Sequence, residues 1–386
     1  MRETKVRKRP LASCRILDFS TLLPGPFATQ ILGEAGAEVV KIERPDSGDE
    51  LRASEPRWGD ASLSFALLNA GKRSIAIDLK SPIERERLVP LIREADVLVE
   101  QFRPGVMDRF GLGYDALKQI NPGLIYCSIT GYGQEGPLAQ VAGHDLTYMA
   151  ETGLLSLAHG SDGAPTVPPV LLADIGAGTM PAVINILLAL RQRDIDGEGV
   201  WLDISITDNL FTFPYNAVAR GIGCGEWPKP GGERLTGGAP RYQLYRASDG
   251  RFVAVAALEQ RFWTVFCEAI GLAAMWFDDR RDPAGTRGAV AELIGCHDSN
   301  HWRGLFEGKD ACAVVVNTMQ EAAAHPHFRM RGLPDRSIRD GSRLAPALRV
   351  PLDQQFVRER ACEGWPVLGE ANALLNDTMS ASPASG

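Results

Sequence analysis

The stretch Arg15-Ile16-Leu17-Asp18-Phe19, with Phe27 to Ala35 and then Glu38-Val39-Val40-Lys41-Ile42-Glu43, decides the fold. The first run is short, apolar and β-prone, so it reads as a strand. Pro24-Gly25-Pro26 breaks it. Phe27 to Ala35 has helical spacing, Gly36 ends it, and Glu38–Glu43 reads as the next strand. Strand, helix and strand joined this closely make a β-α-β unit, which requires parallel strands. The connection lacks G-x-G-x-x-G, so no dinucleotide site is indicated.

The alternation continues. Ser74–Leu79 reads as a strand. Ser81-Pro82-Ile83-Glu84 opens a helix with a capping box and Pro at its first position, and Pro90 kinks that helix. Val97–Glu100 and Leu124–Ile129 are further strands, with a helix around Asp115 to Ile120 between them. The pattern predicts α/β architecture: a large, doubly wound, Rossmann-like parallel sheet. Val200–Ser205 is a later strand, and Thr207 to Arg220 a helix kinked at Pro214. Composition then shifts. Gly221 to Pro240 is rich in Gly and Pro and reads as a linker or lid. Tyr242–Arg246 and Arg251–Ala257 flank Ser248-Asp249-Gly250 as a hairpin. Helices follow near Gln260–Ile270, Arg287–Ile294 and Ser299–Phe306, so a smaller α+β domain is expected here.

The chain of 386 residues carries a net charge of −7 and is 45% hydrophobic, which suits a globular protein and not a nucleic-acid binder. No apolar run is seen at the length a membrane span needs, so no membrane partner is expected. The basic start, Met1 to Pro10, has no apolar segment of a secretory signal, and both it and Ser380–Gly386 read as disordered tails. Seven scattered cysteines without a C-x-x-C pair point to reduced thiols in the cytoplasm and to no metal site. Cys127 and Cys312 lie in apolar runs and read as core.

The chemistry concentrates between Ala142 and Thr179. Ala142-Gly143-His144-Asp145 opens this stretch and Ala173-Asp174-Ile175-Gly176-Ala177-Gly178 closes it. The apolar run after Thr179 reads as a buried helix beginning near Asp174. At a helix N-terminus the Asp174 carboxylate is favoured by the macrodipole and by free backbone N–H groups. A His and an Asp facing each other would form an acid/base pair. Taken alone, each has a plainer reading, as a helix cap and a surface histidine. Several of the basic residues Arg44, Lys72, Arg73, Lys80, Arg103 and Arg109 fall where strands end and loops begin, which is where an open sheet binds ligands; from pattern alone the plainer reading is a solvated charged face.

Several separated motifs carry a family resemblance. They include Leu23-Pro24-Gly25-Pro26, Gly36 to Pro45, Asn69-Ala70-Gly71-Lys72-Arg73-Ser74, Ala95 to Glu100, Arg103-Pro104-Gly105-Val106 and Gly131 to Pro137. From Leu11 to about Asp377 the chain resembles the family III CoA-transferases (CaiB/BaiF-type), the superfamily that also contains α-methylacyl-CoA racemase. The resemblance implies a large domain built from both chain ends (11–220 and 335–386), a linker at 221–241 and a small domain at 242–326. It implies an interlocked homodimer. It also implies a coenzyme A thioester as substrate, with no tightly bound cofactor. Arg44, Lys72, Ile77, Lys80, Gln101, Phe102, Arg103 and Arg109 would hold the CoA end. His144 and Asp174 would be the two bases of an α-proton exchange, with Glu259 supporting His144. The closest motif match is to the racemase branch. The alternatives are a CoA-transferase with Asp174 as nucleophile and a CoA-binding protein without chemistry. One departure stands out: racemases tend to carry Leu-Asp-Gly-Gly-Ala-Pro where this chain has Leu235-Thr236-Gly237-Gly238-Ala239-Pro240.

Overall fold

The computed structural model describes residues 9–59, 61–160, 163–332, 337–340, 343–347, 349–357 and 362–377. The expected tails at 1–8 and 378–386 lie outside them. The chain separates into two compact units, 1–152 with 168–213 and 329–386, and 153–167 with 214–328. Residues 153–167 and 214–220, assigned above to the large domain, belong to the second unit, as does the expected linker at 221–241.

The first unit is built on six parallel strands. They are β1 (Arg15–Asp18), β2 (Glu38–Glu43), β3 (Arg73–Ala76), β4 (Val97–Glu100), β5 (Ile125–Thr130) and β6 (Trp201–Ser205). Their order across the sheet is β3-β2-β1-β4-β5-β6, the order of a doubly wound sheet. Leu17 pairs in register with Val40 on one side and Leu98 on the other. All four residues of β4 and all six of β5 are buried, as a sheet covered on both faces demands.

Helix α1 runs from Pro24 to Glu34, so Pro24-Gly25-Pro26 forms its first turn rather than a break before it. The first turn needs no N–H from proline, and proline's fixed φ suits a helix start. The predicted helix at 82–94 is two helices, Pro82–Glu86 and Val89–Glu94, with Pro90 in the first turn of the second. The Ser81 hydroxyl does accept from Glu84 N, but the Glu84 carboxylate accepts from Asp78 N at 2.6 Å instead of closing the box on Ser81. Thr207–Arg220 likewise divides into Ile206–Leu210 and Tyr215–Cys224 around Pro214.

The C-terminal segment returns to this unit. Ala371 N donates to Ser74 O at 2.8 Å and Ala76 N donates to Asn372 Oδ1 at 2.8 Å. These bonds occupy backbone groups of β3, an outer strand that would otherwise leave them unpaired. Ala371 and Leu375 join the core formed by Leu17, Val40, Ile75 and Leu98.

The helix Ala173–Asp196 corrects one expectation. It is 24 residues long, and an 18-residue window within it reaches a mean hydropathy of 1.6, which by length and composition alone meets the requirement for a membrane span; 44% of that window is buried within the protein. Ala182, Val183, Ile186 and Ala189 form its buried face, and Arg193 near its end pairs with Asp96 at 2.8 Å.

In the second unit, β7 (Tyr242–Arg246) and β8 (Phe252–Ala256) form the expected antiparallel hairpin, with Arg246 opposite Phe252. A strand not foreseen, β9 (Ala313–Val315), pairs with β8. The helix Gln260–Ile270 buries Trp263, Phe266, Cys267 and Ile270, the spacing of one helical face, onto a core shared with Trp302 and Phe306. Cys127 is buried as expected, but Cys312 is exposed and has φ of 45°, a turn geometry that an apolar run does not reveal.

Candidate active site

Strand order places a topological switch between β1 and β4, because the chain builds outward from β1 in one direction and from β4 in the other. Ligands of open parallel sheets bind at the carboxyl ends of the strands at such a point. A cleft of about 290 Å3 lies there. Thr21, Leu22 and Pro24 after β1 line it, with Gln101 to Pro104 after β4 and Thr130 to Tyr132 at the end of β5. His144, Tyr148, Asp174 and Ile206 are also part of its wall.

Local bonds shape these loops. Gln101 Oε1 accepts from Gly25 N at 2.9 Å, tying the loop after β4 to the start of α1. Glu100 accepts from Phe102 N at 2.7 Å. The Tyr148 hydroxyl donates to Gly143 O at 2.7 Å, and its ring lies so close to Gly131 that a Cβ there would fall 2.3 Å from Cε1. Only glycine permits that approach.

His144 is the N-cap of helix α2, Asp145–Glu151. Its N–H donates to Thr147 Oγ1 at 2.9 Å, and its side chain lies at an exposed position. Asp174 is in the first turn of a π-helical segment, Ala173–Thr179, that runs into helix α3, Met180–Asp196. Wide turns of this kind recur at functional sites. Asp145, absent from the candidates drawn from sequence, is buried, and its Oδ1 accepts from Asp174 N at 2.9 Å. Burial raises the Asp174 carboxyl to about 6; the Asp145 charge adds to the rise and His144 opposes it. A carboxyl tuned near neutrality beside an imidazole can take up and return a proton. The same carboxylate is also placed to act as a nucleophile.

The expected row of free N–H groups after Asp174 is reduced. Asp174 N is taken by Asp145, and Ile175 N donates to Leu171 O at 3.1 Å, because the helix begins before Asp174.

The residues expected at the CoA end divide into three groups. Gln101, Phe102 and Arg103 line the cleft. Arg44, Lys80 and Arg109 are exposed and lie outside its lining. Arg44 pairs with Glu50 at 2.6 Å. Lys72 and Ile77 are buried and serve the fold instead. The Lys72 ammonium contacts Asp18, Pro26 O, Thr29 Oγ1 and Asn69 Oδ1 within 3.0 Å, so its donors are used. Burial opposes the charge on Asp18, but Lys72 and Lys41 hold its carboxyl far below the usual range. Ile77 joins the apolar core. Glu259 belongs to the second unit, as the exposed N-cap of Gln260–Ile270. Among the described residues no group of three His, Cys, Asp or Glu side chains converges as metal ligands do.

Comparison with known proteins gives a match to the model of CoA-transferase family III over residues 11–372. The chain belongs to that family. Alpha-methylacyl-CoA racemase of Mus musculus is 34% identical over 367 residues, 93% of this chain and 91% of the racemase. Acetyl-CoA:oxalate CoA-transferase of Acetobacter aceti is 32% identical over 387 residues, 98% of this chain and 97% of the transferase. A crystal structure of a CaiB/BaiF family protein from Brucella suis superimposes with a TM-score of 0.81 at 29% identity, covering 96% of this chain and 99% of that one. Family III enzymes act on CoA thioesters, and this chain is an enzyme of that family, either racemase or CoA-transferase. Both branches are represented at similar identity.

Proposed function

We propose that this protein epimerises a 2-methylacyl-CoA by two-base 1,1-proton transfer at the α-carbon. The observation that carries this reading is His144 and Asp174 on one cleft, with the Asp174 carboxyl raised to about 6. A base that is ionised at neutral pH yet holds its proton readily suits exchange in both directions. The thioester acidifies the α-proton. One base removes it, and the other returns a proton to the opposite face. On the family resemblance alone Glu259 is assigned to support His144, and the exposed cations Arg44, Lys80, Arg103 and Arg109 to hold the nucleotide phosphates of CoA. Two copies of the chain form the working enzyme.

A CoA-transferase is the second reading. The oxalate and glutarate transferases among the relatives favour it, and so does an Asp174 carboxylate open to the cleft. Incubation of the enzyme with 2-methylacyl-CoA in D2O separates the two. Deuterium uptake at the α-carbon without added acid supports epimerisation. In His144→Ala, exchange is lost from one enantiomer only, and in Asp174→Ala from the other. Acyl exchange that requires a free carboxylate, with an acyl group trapped on Asp174 by hydroxylamine, establishes the transferase instead.

A further inference from the structure

Leu22 has φ of 61°, and Cys312 is the only other described residue besides glycines with positive φ. Leucine resists this conformation because its Cβ crowds the backbone; glycine would adopt it freely. The turn is nonetheless held on both sides. Leu22 N donates to Asp49 Oδ1 at 3.2 Å. Asp49 Oδ1 also accepts from Leu51 N at 2.9 Å, and Asp49 Oδ2 meets the Lys41 ammonium at 2.9 Å, with both side chains fully buried. The same ammonium donates to Ser20 O at 2.7 Å, two residues before Leu22. Downstream, Gly25 N is bonded to Gln101. A buried ion pair thus anchors an unfavourable backbone at one residue.

The Leu22 side chain contributes little to the core. It remains 37% exposed and lines the cleft that contains His144 and Asp174. The same cleft also carries apolar Pro24, Phe102, Ile129, Val141 and Ile206, beside the polar Thr21, Gln101, Arg103 and Thr130. Strain of this kind persists where the surroundings over-determine it, and it clusters at ligand sites.

We infer that Leu22 is a specificity-determining residue, whose side chain is presented to the acyl group so that an apolar chain is accepted over a small one. This rests on the reading of the cleft as an acyl-CoA site. The Lys41–Asp49 pair is the positioning device, and Leu22 makes the contact.

The test uses the full chain with two variants that tolerate a left-handed backbone, Leu22→Gly and Leu22→Asn. Calorimetry gives the affinities of a medium-chain 2-methylacyl-CoA and of acetyl-CoA, and thermal melting follows the fold. Both variants are expected to melt near the wild-type temperature. Their preference for the branched chain over acetyl-CoA should fall about tenfold, the scale set by losing apolar groups from a pocket, with acetyl-CoA affinity unchanged. If Leu22→Gly does not fold, Leu22→Asn alone decides. A preserved ratio, or equal loss of both ligands, overturns the assignment of Leu22 while leaving the acyl-CoA reading standing. A wild-type protein that binds neither thioester removes that reading and this inference with it.

Discussion

Asp145 bears directly on Asp174. Its carboxylate raises the neighbouring carboxyl, while its Oδ1 holds the Asp174 backbone N–H. Asp145→Asn keeps an oxygen acceptor and removes the charge. The acid limb of the kcat/KM profile, expected near pH 6 for an ionised Asp174, should therefore move to lower pH. An unmoved limb means that Asp174 is not the titrating base. Glu100 offers a second pH measurement. Burial pushes its carboxyl up to about 7, against an ordinary value of 4.5, although Ser128 and the Phe102 N–H partly stabilise the anion. The folded protein keeps this proton through a range in which the unfolded chain has lost it. Its contribution therefore makes stability fall as pH rises from about 4.5 to about 7. Glu100→Gln should flatten that fall, as urea unfolding at a series of pH values would reveal.

The turn between β1 and α1 is held by buried charges, which makes it brittle to loss of one partner. Lys72 and Asp18 lie 3.0 Å apart with side-chain exposures of 2% and 0%. Removing one member of a buried pair typically costs about 3–5 kcal/mol, because the other charge stays buried without it. Lys72→Met should therefore unfold at clearly lower denaturant. In the fraction that folds, KM for a CoA thioester should stay near the wild-type value, since the ammonium is bonded inside the protein. A large rise in KM with stability intact would return Lys72 to the ligand.

For the whole molecule, the proposed homodimer predicts a particle of twice the 41.8 kDa chain mass by light scattering at micromolar concentration. A monomer at that concentration would contradict it. Ile184, Leu187, Leu188 and Ile195 on helix α3 are exposed in the single chain, and large apolar exposure on one helix is a feature that association commonly covers. The chain's division into two units also affects how mutants are read. Trp263, Phe266 and Trp302 form a core of their own in the second unit, so destabilising changes there act on a body distinct from the unit that carries His144 and Asp174.

Hydrophobic period and turn chemistry were enough to locate β2, β4, β7 and the helices Gln260–Ile270 and Ser299–Phe306, because each is specified by its own local pattern. The α/β class followed from their alternation, and the motifs pointed to the family and to His144 and Asp174. Local pattern carries no information about a charge on one strand meeting a charge far along the chain. Lys72 therefore read as a residue of the CoA end, whereas in the fold its ammonium lies 3.0 Å from Asp18. Asp145 was written beside His144 in the sequence, but its bond to Asp174, 29 residues on, exists only after folding. Strand order is likewise a property of pairing. The switch point between β1 and β4, and with it the position of the cleft, was decided by the tertiary structure, because hydrogen bonds between strands join residues that the sequence keeps far apart.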